Sequence, residues 1–317
     1  MDRVKEEKIG WDRPTPAIPL SIAAITRLLD PWLAGREITS VELMPGGLVN
    51  RNFLLRLDGR PQECVLRIYD RDPRACAKEV AVLALIGREV PVPRVLFVED
   101  APESGPPFAV MSVVDGISLR TLRSFGNDHP VAEAAFDAGR VLARLAHYPG
   151  PPTKHENAVE LIDRFLSAPL INARLDVELP RRIVAAAERW QPRLDEAARD
   201  ECLVHGDFNS PNIFVKQTDD GWRVSGLLDW EFALNASPYC DIGNFLRYHR
   251  ADRPRYEPDF SRGLRDGGMA LPDNWLMYAR IMDLPALCEL LGRRNVPDHV
   301  VEELMLLIDE TLTRVDG

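Results

Sequence analysis

The chain has 317 residues, with 39 Lys and Arg against 49 Asp and Glu and a net charge of −10, and its length exceeds that of one typical domain. The excess of acid argues against a nucleic-acid partner, and because no apolar run is long enough to span a bilayer, no membrane partner is expected. Five cysteines without a CxxC pair, and a charged first ten residues without an apolar core, predict reduced thiols and a cytoplasmic location.

The first third of the chain contains short apolar runs separated by turn residues, a pattern that is typical of strands. Gly46 and Gly47 permit a tight turn between two of these runs. The predicted elements are, in chain order, a helix through Ile22 to Trp32, two strands within 41–57, a strand over 63–69, a helix from Ala75 to Leu85, and strands within 90–98 and 107–114. Residues 1–115 are therefore predicted to form a small antiparallel β lobe of five strands.

Beyond Gly116 the pattern changes, and apolar residues recur at intervals of three and four, which indicates helices. The clearest helical runs are 131–147, 161–166, 183–190, 275–291 and 300–315. The sequence thus predicts an α+β protein in which residues 1–115 form one lobe and residues 116–317 form a larger, mainly α lobe.

Two strand-like runs in the second part each deliver a carboxylate. The first run ends in His205-Gly206-Asp207 and continues to Asn212, and the second ends at Asp229. In metal-assisted phosphoryl transfer one carboxylate accepts the proton of an attacking hydroxyl, while an amide and a second carboxylate hold magnesium against the nucleotide phosphates. Asp207, Asn212 and Asp229 fit these three roles.

This arrangement resembles the catalytic loop of the protein-kinase-like fold in its aminoglycoside phosphotransferase and choline kinase branch. That branch carries His-Gly-Asp, four variable residues, Asn, and then a strand ending in Asp, and a second block, Asp241-Ile242-Gly243-Asn244, follows at the family's position. The resemblance implies a two-lobed kinase-like fold. It also implies that Asp207 is the base, that Asn212 and Asp229 bind Mg²⁺, and that His205 and Asp241 brace the loop.

The resemblance further implies that the first lobe binds ATP or GTP. Gly46, Gly47 and Asn50 resemble the family's Gly-Gly-x-x-Asn turn, whose backbone N–H groups would approach the phosphates. The last strand of the lobe leads into the expected hinge. There the backbone from Met111 to Val113 would hydrogen-bond the adenine ring.

Arg67 stands where the fold places its phosphate-contacting Lys, and Glu79 stands where the carboxylate that pairs with this Lys belongs. Arg in place of Lys is the only departure in the core set, and its guanidinium can still grip phosphate with a fixed charge. The alternative to an enzyme is a nucleotide-binding pseudokinase that has lost turnover. The usual mark of a pseudokinase is the loss of a residue such as Asp207 or Asp229, and both are present.

The expected acceptor is a small molecule with a hydroxyl group. Residues 116–317 carry 24 Lys and Arg against 32 Asp and Glu, and a negative field favours cationic acceptors such as aminoglycosides. A choline, ethanolamine or homoserine type of metabolic kinase is the alternative, because Asp-Trp-Glu-Phe at 229–232 resembles choline and ethanolamine kinases. The sequence leaves the oligomeric state open. Candidate acceptor contacts are Asn209, Glu231, Asn244 and Arg247. Tyr278, Asp283 and Glu289 could also line the acceptor cleft, but by default they are expected at helix surfaces.

Overall fold

The computed structural model describes residues 20–44, 50–102, 105–197, 201–248, 256–294 and 296–316. The helices of the first part are α1 (Ile22–Leu33) and α2 (Arg74–Ile86), and its strands are β1 (Ile38–Leu43), β2 (Arg51–Leu57), β3 (Glu63–Ile68), β4 (Val95–Glu99) and β5 (Phe108–Ser112). The strands form one antiparallel sheet in the order β1-β2-β3-β5-β4. The predicted five-stranded sheet is therefore confirmed.

The two helices of this part belong to different apolar cores. Leu66 and Ile68 of β3 pack in one core with Leu29 of α1, whereas α2 contributes to a second core. Because successive side chains of a strand point to opposite faces, Arg67 lies on the other face from Leu66 and Ile68. It there meets Glu79 of α2. The alternation of β3 thus brings a buried cation to the helix that carries its carboxylate.

The second part is mainly helical. Its helices are α3 (Leu119–Ser124), α4 (Asp128–Leu145), α5 (Ala158–Leu166), α6 (Ile171–Arg174), α7 (Glu178–Ala197), α8 (Tyr239–Leu246), α9 (Glu257–Asp266), α10 (Trp275–Gly292) and α11 (Asp298–Asp316). Fully buried apolar residues such as Ile162, Ile242 and Leu284 join these helices in one core. The α+β class predicted from the sequence is confirmed, while the division at residue 115 stays a prediction.

Two glycines allow α4 and α9 to approach closely. A Cβ on Gly139 would lie 2.2 Å from the carbonyl oxygen of Phe260, and one on Gly263 would lie 1.9 Å from that of Phe136. Any side chain at either position would therefore separate the helices, whose contact supports the core beneath the site.

Short strands carry the loops of the candidate site. They are β6 (Ile117–Ser118), β7 (Cys202–Val204), β8 (Ile213–Thr218), β9 (Gly221–Leu227) and β10 (Leu234–Ala236). β7 pairs with β10, and β8 lies between β6 and β9. All five cysteines are free thiols. Across the part of the chain that the structure describes, no helix combines the length and the apolar character needed to cross a bilayer.

Candidate active site

The loop between β7 and β8 carries three of the predicted site residues. Gly206 begins the turn with a φ of +78°, and a Cβ at this position would lie 2.6 Å from the carbonyl oxygen of Phe232. Glycine satisfies both the positive φ and the close approach. The chain can therefore turn sharply after the buried strand and present Asp207.

His205 and Asp241 stabilise the backbone of this loop. The carboxylate of Asp241 accepts the backbone N–H of His205 at 2.7 Å and that of Gly206 at 2.9 Å. Burial raises the pKa of Asp241 to about 7, and the two N–H donors oppose that rise. The helix that contains Asp241 thus fixes the start of the loop.

The hydrogen bonds of His205 define one tautomer of its ring. Its Nδ1 accepts from the backbone N–H of Asp207 at 3.2 Å, so the proton lies on Nε2, which donates to the carbonyl oxygen of Leu228 at 2.9 Å. The ring also packs against Trp230, with centroids 4.4 Å apart and the ring planes tilted by 48°. A neutral imidazole therefore connects the loop to the segment that contains Asp229.

Two amides orient the carboxylate of Asp207. Asn212 donates to the backbone oxygen of Asp207 at 2.9 Å and to its Oδ2 at 2.8 Å, and Asn209 donates to its Oδ1. Asn209 is only 2% exposed. The carboxylate is thus held in one orientation before any acceptor is present.

Asp229 lies directly after β9 in a left-handed backbone conformation, with a φ of 71°. Such a conformation costs a non-glycine residue about 1–3 kcal/mol and persists only where its surroundings enforce it. Leu228, the residue before it, donates its N–H to the carbonyl oxygen of Asn212 at 3.0 Å and accepts from His205. The backbones that carry Asp207, Asn212 and Asp229 are therefore joined directly.

Around Arg67, one guanidinium meets three carboxylates. Arg67 is 8% exposed at its side chain, and its Nε lies 3.0 Å from Glu79 Oε2. Its Nη2 donates to Asp229 Oδ1 and lies 3.7 Å from Glu231 Oε1. Burial and, next, the neighbouring Asp229 carboxylate raise the pKa of Glu231 to about 7, although Arg67 lowers it. The cluster carries more acid than base.

Two residues that the sequence did not single out hold Glu79 in place. The hydroxyl of Tyr69 donates to Glu79 Oε2 at 2.7 Å, and the backbone N–H of Trp230 donates to Oε1 at 3.2 Å. Tyr69 follows Arg67 by two positions and so shares its face of the chain, which is the signal that was available. Through these bonds α2 is connected to the residue that follows Asp229.

Of the remaining residues that were predicted to bind the nucleotide, Asn50, Met111 and Val113 lie among the described residues. Asn50 is buried and its amide donates to Glu231 Oε2 at 3.0 Å. Met111 lies inside β5, paired with β3 and β4, and Val113 follows the strand with 42% of its surface exposed. Gly46 and Gly47 lie outside the described residues.

Four residues of the helical part are placed differently from the expectation. Asn244 and Arg247 were expected to contact the acceptor, and Tyr278 and Asp283 were expected at helix surfaces, but all four side chains are buried. Arg247 forms a two-pronged ion pair with Asp283, with distances of 2.9 and 2.7 Å. Helical periodicity at these positions did not reveal the pair, because its members are 36 residues apart in the chain.

The oxygen atoms of the site fit a magnesium ion. Asn212 turns its amide nitrogen to Asp207 and so directs its carbonyl oxygen elsewhere, and Asp229 is 31% exposed at its side chain. Mg²⁺ prefers oxygen ligands and is held by one or two protein groups together with substrate phosphates. The surplus of carboxylates over Arg67 is a second feature that suits a divalent cation.

A sheet with one buried Arg and Glu pair, joined to a helical part with an Asp-and-Asn loop, is the two-lobed architecture of protein-kinase-like proteins. The sequence profile of the phosphotransferase enzyme family matches residues 40–275. The chain belongs to the phosphotransferase enzyme family.

Comparison with solved structures gives the same fold. The GDP complex of wild-type aminoglycoside 2'-phosphotransferase-IIIa has a TM-score of 0.73 at 18% identity and covers 93% of this chain and 99% of its own. A ternary complex of a thermostable mutant of aminoglycoside phosphotransferase APH(4)-Ia with ADP and hygromycin B has a TM-score of 0.67 at 16% identity and covers 92% and 99%.

A curated relative matches over a shorter stretch. The uncharacterized protein YcbJ of Bacillus subtilis (strain 168) is 41% identical over 58 residues, which are 17% of this chain. The match spans 18% of the length of that relative.

Proposed function

We propose that this protein transfers the γ-phosphoryl group of ATP or GTP to a hydroxyl of a small molecule in a magnesium-dependent reaction. The observation that carries the proposal is the backbone connection through Leu228, which holds the segment of Asp229 against Asn212 and His205. It keeps a base and two magnesium ligands together in one unit. Membership of the phosphotransferase enzyme family supports the same reaction.

Asp207 is the proposed base. Its carboxylate is oriented by Asn209 and Asn212, and it would take the proton of the acceptor hydroxyl as that oxygen bonds to the γ-phosphorus and the bond to the β,γ-bridging oxygen breaks. Most of the acceleration in this chemistry comes from positioning and electrostatics. Prior fixation of Asp207 is therefore the main contribution of the loop.

Asn212 and Asp229 are the proposed ligands of the metal, which when bound would neutralise charge on the transferring phosphoryl group. Arg67 would supply a fixed positive charge to the phosphates while Glu79 and Tyr69 keep it in place. Met111 and Val113 are the proposed adenine contacts. Gly46 and Gly47 are the proposed phosphate turn. His205 would hold the loop in position, since it is buried. Asn209 and Glu231 stay proposed acceptor contacts, and because their side chains are buried or nearly so they would also hold neighbouring groups in place.

A cationic, hydroxyl-bearing acceptor is the finer proposal. The acid excess of residues 116–317 supports it. A solved structure of similar fold is the GDP and kanamycin complex of APH(2")-IIIa. It has a TM-score of 0.72 at 18% identity and covers 92% of this chain and 98% of its own. The free thiols support a cytoplasmic location.

The test is a transfer assay with an acceptor panel. Wild type and Asp207→Asn are incubated with Mg²⁺, ATP or GTP, and aminoglycosides, amino alcohols or sugar alcohols, and the acceptor mass and nucleoside diphosphate release are measured. The expected result is a phosphorylated acceptor with wild type and a loss of about 10³-fold in Asp207→Asn. Asp219→Asn, which removes the same charge at an exposed turn, is the matched control and should keep full activity.

Two results would contradict the proposal. Transfer that survives in Asp207→Asn would remove Asp207 from its role. Nucleotide binding by wild type without transfer to any acceptor class would favour the non-catalytic, nucleotide-binding alternative.

A further inference from the structure

A chain of buried polar groups runs from α10 to the catalytic loop and lies apart from the Asp241 brace. It begins at Asp283 of α10, passes through Arg247 at the end of α8, and reaches Asn244 one helical turn earlier. Arg247 and Asp283 are 4% and 6% exposed at their side chains. The proposed transfer reaction gives no role so far to Asp283, Arg247 or Asn244.

Asn244 is the member that touches the loop. In the orientation of its amide that satisfies both neighbours, the nitrogen donates to the carbonyl oxygen of Phe208 at 3.1 Å, and the oxygen accepts from Arg247 Nη2 at 2.9 Å. Phe208 is the residue directly after Asp207 and is itself fully buried. The amide therefore links the backbone next to the base with the guanidinium.

The guanidinium is held rigidly from the other side. Two parallel hydrogen bonds to one carboxylate fix the plane of Arg247. Burial lowers the pKa of Arg247, but the carboxylate of Asp283 and, more weakly, that of Asp207 outweigh burial and raise it. The group stays charged, and its charge lies within electrostatic reach of the base.

Burying an ion pair is rarely a source of stability, because desolvation offsets the attraction. Such a pair is better explained when it fixes a conformation. Here a rigid guanidinium selects one of the two flip states of Asn244, and in that state the nitrogen, rather than the oxygen, faces the Phe208 carbonyl.

We propose that Arg247 and Asp283 are positioning residues for the transfer reaction, which set the catalytic loop through the side-chain amide of Asn244. The proposal rests on the proposed function for its kinetic consequence, and on the structure alone for its effect on the loop. It also replaces the sequence-based expectation that Arg247 contacts the acceptor.

The informative variant removes both charges at once. Arg247→Met alone leaves Asp283 buried without a partner and can unfold the protein, whereas Arg247→Met with Asp283→Leu replaces the pair by apolar groups and preserves folding. Arg247→Lys keeps the charge without the two-pronged geometry. Arg293→Met is the matched control, since it breaks an ion pair with Glu289 of the same helix at 34% and 29% exposure.

Hydrogen exchange measures the loop without any substrate. In the double variant, the amides of residues 205–209 should exchange about tenfold faster than in wild type. Arg293→Met should not differ from wild type, and Arg247→Lys should fall between. A folded double variant whose loop exchanges as in wild type would overturn the proposal.

Kinetics then separate positioning from acceptor binding. In the double variant kcat should fall at least about tenfold, because a small displacement of a base is enough, while the KM values for nucleotide and acceptor stay within about twofold. A raised acceptor KM with unchanged kcat would make Arg247 an acceptor contact and overturn the proposal. If wild type itself transfers nothing, the proposed function fails, and the exchange result still decides whether the network sets the loop.

Discussion

The loop side of the site, around Asp207, and the proposed nucleotide side, around Arg67, differ in how their charges are matched. On the loop side, Asp207 and Asp241 each accept N–H groups from neighbouring amides, and the imidazole of His205 is neutral. On the nucleotide side, Glu79, Asp229 and Glu231 share one guanidinium. On the loop side the carboxylates are paired with N–H donors, whereas on the other side three carboxylates surround one guanidinium.

This difference indicates that the two sides of the site depend on ligands to different extents. The loop side can be fixed in advance, so that its geometry does not depend on what is bound. On the proposed nucleotide side a divalent cation would be attracted by the carboxylates around Arg67, which would link nucleotide and magnesium binding to local stability. Substitutions on the two sides should therefore differ in kind, and the following experiments test that difference.

The largest effect is expected from Asp229→Asn, which removes the charge at the centre of the nucleotide side. Metal-bound carboxylates contribute several kcal/mol to transition-state stabilisation, and we expect transfer to fall by about 10³-fold. Folding should be unimpaired, because the substitution neutralises one of three neighbouring carboxylates and so reduces the repulsion among them. Initial rates and melting temperatures measure both outcomes. Activity above a tenth of wild type would rule out Asp229 as a ligand.

The second effect concerns Arg67→Met, which leaves the three carboxylates without their cation. Removing one partner of a buried pair destabilises a protein by about 3 kcal/mol or more, and added Mg²⁺ should raise the melting temperature of this variant more than that of wild type. Arg56→Met, at an exposed pair with Glu63, should cost under about 1 kcal/mol. Equal losses of unfolding free energy in the two variants would mean that the buried cluster contributes no more electrostatic stability than an exposed ion pair.

On the loop side, His205→Gln should have a smaller effect. Gln can still donate to the Leu228 carbonyl but cannot hold the Asp207 N–H in the same geometry, so we expect kcat to fall by about tenfold, or about 1.4 kcal/mol. The exposed His147→Gln is the control. A loss as large as that of Asp229→Asn would contradict a purely supporting role for His205.

The smallest effect is a dependence of stability on pH that comes from Glu231. Its pKa is raised to about 7, first by burial and then by Asp229, so its ionisation is harder in the folded than in the unfolded chain. Its contribution to stability is complete below about pH 4.5 and is lost as the pH rises through about 7. In a chelator, the melting temperature of wild type should therefore fall by a few degrees relative to Glu231→Gln between pH 5 and pH 8.

The control for this prediction is Glu37→Gln, an exposed carboxylate, whose melting temperature should follow wild type at every pH. Parallel curves for wild type and Glu231→Gln would show that Glu231 titrates as an ordinary carboxylate.

Much of the site was readable from spacing along the chain. Asp207 and Asn212 share one loop because they are only five positions apart, and the pairing of Arg67 with Glu79 was expected from the resemblance to the kinase-like family. The contacts of Arg67 with Asp229 and Glu231 were not, since they join residues more than 160 positions apart. The left-handed backbone of Asp229 is likewise invisible in a sequence that shows no glycine there.

The sequence by itself determined the α+β class, the five strands of the first part, the longer helices of the second part, and the residues that have the right chemistry for phosphoryl transfer, whereas α3, α6 and α9 were not predicted. Periodicity and local spacing suffice for these, because they reflect the geometry of single strands, helices and turns. The tertiary structure alone decided that Arg247 and Asp283 are buried together and that Asn244 lies between Arg247 and the Phe208 carbonyl. Such partners are chosen by packing between distant helices, where the cost of an unpaired buried charge selects the arrangement.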